Sequence, residues 1–267
     1  IMKRKRISIL GVTGSIGQTA LRIIAKYPHL FELVLIANNE NLKSLKHLID
    51  ANKPEFAVCT GQKFLYIKGK ECSYDDNFLN NPETYSTSDI VINGISGVAG
   101  LAPSLAVIRA ERVLATANKE SLVAGGNILM NEAAKYNAQI RPLDSEHSSI
   151  WQCVAVGKAF VEEIILTASG GAFRNLPVEK LACAPAAEAL KHPTWVMGQK
   201  ITIDCATLMN KGMEIIEAKH LFAPKKISVV RHNESLIHSL VRLTDGSLFA
   251  HLSTPDMTIP IQYALTY

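Results

Sequence analysis

Short apolar runs that alternate with helical stretches, a glycine-rich turn at the first strand-to-helix junction, and a change of character near residue 145 predict an α/β fold. The first part reads as a parallel sheet covered by helices on both faces, since parallel neighbours need a long crossover, which a helix supplies. The second part reads as a mixed α+β domain.

The first run, residues 6–10 (RISIL), leads into GVTGSIG and then QTALRIIAKYP, where Ala20, Ile23, Ile24 and Tyr27 recur at helical spacing and Pro28 closes the helix. A second strand is expected at 32–37 (ELVLIA), a helix at LKSLKHLIDA, and a third strand at 56–59 (FAVC). The alternation continues through DIVINGI, a helical APSLAVIRA, the strand RVLATAN, a helical ILMNEAAKY and the strand AQIRPLD. Beyond it lie a helix (SIWQCVAVG), a strand ending in a glycine pair (EEIILTASGG), a polar loop (KHPTWVMGQK) and a helix around NKGMEIIEAKHLF. Three strand-like runs, ISVVRH, SLIHSLVRL and SLFAHLS, follow. The boundary falls near Leu143, giving domains 1–143 and 144–267.

With 48% hydrophobic and 19% charged residues, the chain has material for a large core and is not a disordered segment. No apolar stretch approaches the roughly 18 residues a membrane span needs. The opening IMKRKRISIL runs straight into a strand pattern rather than a signal-peptide core, so a cytoplasmic protein is expected. A net charge of +4 with mixed signs and 6% aromatics argues against a nucleic-acid binder. Five cysteines with no C-x-x-C pair argue against a disulfide framework or structural zinc.

Gly11, Gly14 and Gly17 follow a strand and precede a helix. There they permit a tight turn and close backbone approach to a pyrophosphate at a helix N-terminus, the arrangement of Rossmann-like dinucleotide-binding domains. The spacing G-x-x-G-x-x-G also fits a turn with only packing roles. Thr13 and Ser15 add side-chain donors. After the second strand the chain reads Asn38, Asn39, Glu40, Asn41, where Glu40 favours NAD and Lys43 is placed to reach the extra phosphate of NADP.

In PLDSEH, Asp144 and Glu146 are two apart, so an extended chain would point both carboxylates to one side. Two hard oxygen ligands suit Mg²⁺ or Mn²⁺, whereas such a pair alone is more often a solvated surface pair than a metal site. Glu214, on the helix that carries Asn210 and Lys211, is the candidate third carboxylate. Ser169 with Gly170 and Gly171, and Asn210 with Lys211, offer donors for a phosphate; a β-turn and a solvated helix cap are the plainer readings. His147 and His192 fit either a site or a satisfied packing role. Trp195, in a polar loop, either packs inward or closes over a ligand.

Taken in order, GVTGSIG, ATANKESLVAGG, PLDSEHSSIWQ, TASGGAFR, HPTWVMGQK and DCATLMNKGMEIIEA closely resemble the 1-deoxy-D-xylulose 5-phosphate reductoisomerase family from Ile7 to the last residue. The resemblance implies an NADP-dependent oxidoreductase that rearranges 1-deoxy-D-xylulose 5-phosphate and reduces it to 2-C-methyl-D-erythritol 4-phosphate in non-mevalonate isoprenoid biosynthesis. It implies NADPH and a divalent metal (Mn²⁺ or Mg²⁺) as cofactors, and a homodimer formed through the sheet of the second, catalytic domain. It places Thr13, Gly14, Ser15 and Ile16 at the pyrophosphate, with Asn39, Asn41, Asn118, Glu120 and Gly198 also lining the cofactor site. Asp144, Glu146 and Glu214 would bind metal. Lys119, Ser145, Glu146, Ser169, His192, Asn210, Lys211 and Glu214 would contact the phosphorylated sugar, with Lys119, Asp144, Glu146, His192 and Glu214 catalytic. Trp195 and Met197 would belong to a flexible lid.

Three departures stand out. Asn39-Glu40-Asn41 replaces the family's Gly-Lys-Asn, which weakens the case for strict NADPH preference. Cys205 replaces a serine hydroxyl of the phosphate site, and the family's C-terminal helical domain is absent from the sequence. The competing readings are a semialdehyde or homoserine type of dehydrogenase and a non-catalytic dinucleotide sensor.

Overall fold

The structure is a computed structural model that describes residues 3–155, 160–195 and 197–267. The chain forms two compact units, one of residues up to Leu143 together with Met257–Tyr267, the other Asp144–Asp256.

In the first unit the elements are β1 (Lys5–Leu10), α1 (Ser15–Lys26), β2 (Phe31–Asn38), α2 (Leu42–Asn52), β3 (Phe56–Cys59), β4 (Phe64–Ile67), β5 (Lys70–Cys72), β6 (Ile90–Asn93), α3 (Leu101–Arg109), β7 (Val113–Thr116), α4 (Lys119–Lys135) and β8 (Ile140–Pro142). They build one sheet in the order β5-β4-β3-β2-β1-β6-β7-β8. The six strands from β3 to β8 in that order run parallel, and β4 and β5 add an antiparallel edge. Because parallel strands are covered on both faces, they read as continuous apolar runs, and Ile7, Ile9, Leu35, Ile36, Val91 and Ile92 are all fully buried. The strand order reverses at β1, whose end lies between β2 and β6, the position where open α/β sheets leave a crevice for a ligand.

Two features differ from the sequence reading. The β4–β5 hairpin escaped it: its turn places both Lys68 (φ 44°) and Gly69 (φ 92°) in the left-handed region, geometry more often signalled by Asn-Gly. Helix α4 starts at Lys119, well before ILMNEAAKY, because Gly125 and Gly126 sit inside it; Gly125 is locally non-helical, and a Cβ there would meet the Leu101 side chain at 2.8 Å. The glycine is thus a close contact between α3 and α4 rather than a helix stop.

The second unit comprises α5 (Ser145–Val154), β9 (Val161–Ala168), the single turns α6 (Val178–Leu181) and α7 (Ala186–Ala189), α8 (Gln199–Ala206), α9 (Met209–Phe222), β10 (Lys226–Arg231), β11 (Ile237–Leu243) and β12 (Leu248–Leu252). Val156 and Gly157, the end of the expected helix SIWQCVAVG, lie outside the described residues. The sheet order is β10-β9-β11-β12, with β9 and β10 parallel and the other pairs antiparallel. Ile150, Cys153 and Val154 of α5 pack on Ile164, Leu166 and Val241 of the sheet to form the core. Inside β9, Glu163 takes bonds from Lys226, Ser228 and Arg242, which together hold its carboxyl down at about 2.

The reading of 144–267 as one domain does not extend to its end. The last helix, α10 (Thr258–Thr266), belongs to the first unit. Its terminal carbonyls, left without helical partners, are met by cations: Lys5 Nζ donates to Leu265 O (3.1 Å) and Tyr267 O (3.0 Å), and Arg141 Nη1 to Ala264 O (2.7 Å).

Candidate active site

Asp144 and Glu146 come together through a helix start, not through the extended chain the sequence pattern had implied. Asp144 is the N-cap of α5: its Oδ1 accepts the Glu146 N–H at 3.2 Å, and Glu146 lies in the first turn. Aspartate caps well because its oxygen satisfies an orphan donor, and both carboxylates gain from the positive end of the helix dipole.

Facing them is α9, which buries the wrong side for an ordinary amphipathic helix. Asn210, Lys211, Glu214 and Glu217 are buried while Ile215 and Ile216 are 37% and 40% exposed. A helix that hides its charges and shows its isoleucines is serving a polar cluster. One oxygen each from Asp144, Glu146 and Glu214 lie within 4.8 Å of one another. Lys211 Nζ donates to Glu146 Oε1 at 2.7 Å and to Glu214 Oε2; Asn210 Nδ2 reaches Glu214 Oε1 at 2.5 Å, and Ser145 Oγ reaches Glu146 Oε2 at 2.5 Å. Burial works against the Lys211 ammonium, but Glu146 and Glu214 outweigh it and raise its pKa above the ordinary lysine value.

His147 joins the two helices. Nε2 lies 2.9 Å from the Glu214 carbonyl and Nδ1 3.0 Å from Asp144 Oδ1, with Glu217 Oε2 at 3.7 Å. Carbonyl and carboxylate both accept, so the two bonds are made together only by the imidazolium. Complete burial opposes that charge, yet Glu217, Asp144 and Glu214 overcome it and push the pKa up to about 9. Asp144, His147 and Glu217 also place ligand atoms within 4.8 Å. With both ring nitrogens already engaged, His147 supports the carboxylates instead of adding a ligand.

Three carboxylates thus converge in a largely buried place, and hard oxygen donors are the set that Mg²⁺ or Mn²⁺ takes. The residues present fit a divalent metal.

A second cluster forms where β9 ends. Two backbone amides, of Thr194 (3.1 Å) and Trp195 (2.9 Å), donate to His192 Nδ1, so the proton sits on Nε2, which donates to Ser169 Oγ at 2.9 Å. Burial first, and then the charge of Arg174, hold the His192 pKa below its ordinary value. Ser169 Oγ also accepts from Gly171 N at 3.3 Å, which leaves its own hydroxyl proton to donate elsewhere. Gly170 (φ 81°) and Gly171 (φ 65°) are both left-handed, and a Cβ on Gly171 would strike the Cys205 carbonyl of α8. The structure therefore groups Ser169 with His192, and Asn210 and Lys211 with the carboxylates. The Trp195 ring packs 6.1 Å from that of His238; Met197 is half-buried, Gly198 caps α8, and Val196 lies outside the described residues.

In the first unit the glycine turn is as tight as its sequence requires. A Cβ on Gly11 (φ 80°) would meet Gly94 O at 2.6 Å, and one on Gly17 would meet Gly11 O and Val12 Cα at 2.5 Å. Gly14 caps α1 with no side-chain bond, so it and Ser15 are exposed at a helix N-terminus, with Thr13 and Ile16 half-buried beside them. Asn41 Oδ1 caps α2 through Ser44 N at 2.9 Å, Asn39 Oδ1 accepts from Thr60 Oγ1 at 2.8 Å, and Glu40 is exposed. Asn118 caps α4 and donates through Nδ2 to Ile95 O (2.5 Å) and Gly97 O (2.7 Å), so its side chain shapes that loop. Lys119 is buried and Glu120 half-buried in the first turn of α4.

Comparison with known proteins decides the family. A profile described as 1-deoxy-D-xylulose 5-phosphate reductoisomerase matches residues 7–126, and one for the C-terminal domain of that enzyme matches residues 140–222. The protein of that name from Rippkaea orientalis is 45% identical, over 98% of this chain and 69% of its own length. This chain belongs to the 1-deoxy-D-xylulose 5-phosphate reductoisomerase family. Among solved structures, a DOX-P reductoisomerase in complex with NADPH, fosmidomycin and magnesium matches with a TM-score of 0.90 at 37% identity, covering 98% of this chain and 70% of that one. The reductoisomerase from Zymomonas mobilis in complex with NADPH matches with a TM-score of 0.87 at 33% identity, covering 99% and 71%.

For this reductoisomerase family member, sequence reasoning missed two residues of the cluster. Glu217 was legible in principle, since it lies three positions after Glu214 and so on the same helical face. His147 was weighed only as an isolated histidine. Its role depends on a carbonyl 67 positions away in the chain, which no local pattern announces.

Proposed function

We propose that the chain catalyses the reaction of its family, the rearrangement of 1-deoxy-D-xylulose 5-phosphate and its reduction by NADPH to 2-C-methyl-D-erythritol 4-phosphate. The observation that carries this is the convergence of Asp144, Glu146 and Glu214, which neither a dehydrogenase that works without metal nor a nucleotide sensor has use for. Those three carboxylates would hold Mg²⁺ or Mn²⁺, which as a Lewis acid stabilises charge developing on substrate oxygens. The turn at Thr13, Gly14, Ser15 and Ile16 would hold the pyrophosphate of NADPH, the hydride donor, with Asn39, Asn41, Asn118 and Glu120 of the same unit assigned to the cofactor.

The chain's own groups do the rest. Lys211 has three N–H donors and directs two at Glu146 and Glu214, so a third is left for an oxygen of the substrate. Ser169 offers its hydroxyl proton to the phosphate while His192 and Gly171 hold its oxygen in place. Anchoring the phosphate orients the reacting carbons, and remote binding energy of this kind is spent at the reacting centre. Ser145 completes the proposed substrate set in this unit, and Trp195 and Met197 would close over it to exclude water.

We assign a homodimer to the same reading. Leu248 and Leu252, on one face of the edge strand β12, are 49% and 62% exposed, an apolar strip that a second copy would cover. Sedimentation velocity should show two chains, and a monomer at micromolar concentration would count against it. Among the described residues no helix is long and apolar enough to cross a membrane. A cytoplasmic site suits five cysteines that form no disulfide, and recovery of the reduced protein in the cytoplasmic fraction checks it.

The test of the activity is oxidation of NADPH, and separately NADH, with 1-deoxy-D-xylulose 5-phosphate, with and without Mn²⁺ and excess chelator. Oxidation is expected to need both substrate and metal, with NADPH preferred. Turnover that survives chelation would overturn the metal assignment, and NADH used equally well would show that exposed Glu40 has relaxed the cofactor preference.

A further inference from the structure

The Ser169–Gly171 turn is held by a side chain that no functional assignment has included. Arg174 crosses directly over Gly170, where a Cβ would lie 2.7 Å from Arg174 Cβ; only glycine admits this approach, and its φ of 81° suits glycine as well. From there Nη1 of Arg174 donates to the Asn233 carbonyl at 2.8 Å and, at the long limit of 3.5 Å, to the Ser169 carbonyl. Arg231 Nη1 in turn donates to the Arg174 carbonyl at 3.2 Å, and its Cδ would lie 3.4 Å from the same Gly170 Cβ. The turn is thus clasped from both sides by guanidinium chains.

These two cations are bonded to carbonyls. Among the described residues no carboxylate forms an ion pair with either, unlike Arg6 or Arg242, which each meet a glutamate. A turn with two left-handed glycines, a serine hydroxyl and two arginines that meet no carboxylate among the described residues carries the positive charge and donors that suit an anion. The charge of Arg174 also reaches His192, where it adds to burial in keeping that ring neutral. A neutral ring with its proton on Nε2 is the form that donates to Ser169.

We propose that Arg174 is a positioning residue for the substrate phosphate, fixing the Ser169–Gly171 turn through the Asn233 carbonyl and supplying the positive field into which the anion binds. This rests on the reading of Ser169 as the phosphate donor. Arg174 itself touches neither the reacting carbons nor the carboxylate cluster in this assignment.

The probe is inorganic phosphate, titrated by calorimetry into the full chain and into Arg174→Met and Arg174→Lys, at two ionic strengths and with matched circular dichroism. Arg174→Met is expected to weaken phosphate binding about tenfold and to flatten its salt dependence, whereas Arg174→Lys, which keeps the charge, stays within about threefold of the parent. The NADPH dissociation constant should be unchanged in both. Equal losses in the two variants, an unaltered affinity in Arg174→Met, or no phosphate binding by the parent chain would each overturn the proposal. Because calorimetry needs no turnover, a chain that binds phosphate as expected but fails to oxidise NADPH with substrate would sink the functional reading and leave the role of Arg174 standing.

Discussion

Glu214→Gln is expected to abolish the response of the protein to divalent metal while leaving it folded. Glu214 is 1% exposed and supplies the α9 oxygen of the Asp144, Glu146 and Glu214 set, so under the proposed assignment its loss would remove the ligand that joins the two helices through the ion. Even outer partners of metal ligands change affinity by about 10–100-fold, so a direct ligand should cost more than about a hundredfold. Turnover at fixed Mn²⁺ should fall at least as far. The decisive readout is thermal unfolding with and without Mn²⁺, because binding to the native state alone stabilises by about 2.7 kcal/mol at one hundred times the dissociation constant. The parent should gain stability of that order and Glu214→Gln none at the same concentration. A variant that keeps the full shift would show that the metal, if it binds, binds elsewhere.

Lys211→Met should do the opposite to the resting protein, unfolding it more easily when metal is absent. Lys211 is 7% exposed and its ammonium lies between Glu146 and Glu214, and removing one partner of a buried ion pair typically costs about 3–5 kcal/mol because the other charge stays behind. Since its folded pKa is raised, this contribution is complete below the ordinary lysine value and fades only as pH climbs through the higher folded one; at neutral pH all of it is present. Urea unfolding in chelator should show the loss. Added Mn²⁺ should recover part of it, since a cation then returns to the carboxylates, while turnover stays low for want of the Lys211 donor. Lys211→Arg keeps a charge and should lose less. A metal-free change below about 1 kcal/mol in Lys211→Met would mean that the acidic cluster is balanced by some other group.

How far the sequence could be read depended on whether a residue's surroundings were local. The six parallel strands were legible because both their faces are buried, so ELVLIA and DIVINGI carry the apolar runs LVLIA and IVI. The hairpin of β4 and β5 was not, for its strands are short and its turn is carried by Lys68 in a conformation lysine seldom adopts. The three converging carboxylates could be proposed from spacing and resemblance, but for Asp144 and Glu146 the wrong geometry was assumed. A capping aspartate reads in sequence as the end of the preceding strand, and only the helix that follows shows it to be a cap. His147 and Arg174 were beyond reach for one reason: each acts through residues brought close by the second unit's tertiary fold, and each bonds a backbone carbonyl far along the chain with no motif around it.

The return of α10 to the first unit makes the second unit an insertion, a folded excursion whose two ends are both stitched into the same host. Closing a long loop costs more the more conformations it can explore, and an excursion that is itself folded explores few. Docking of α10 on Lys5 and Arg141 is therefore easier when Asp144–Asp256 is native than when it is unravelled. The host's last helix thus acts as a latch whose strength reports on the guest, and the coupling needs no surface shared by the two.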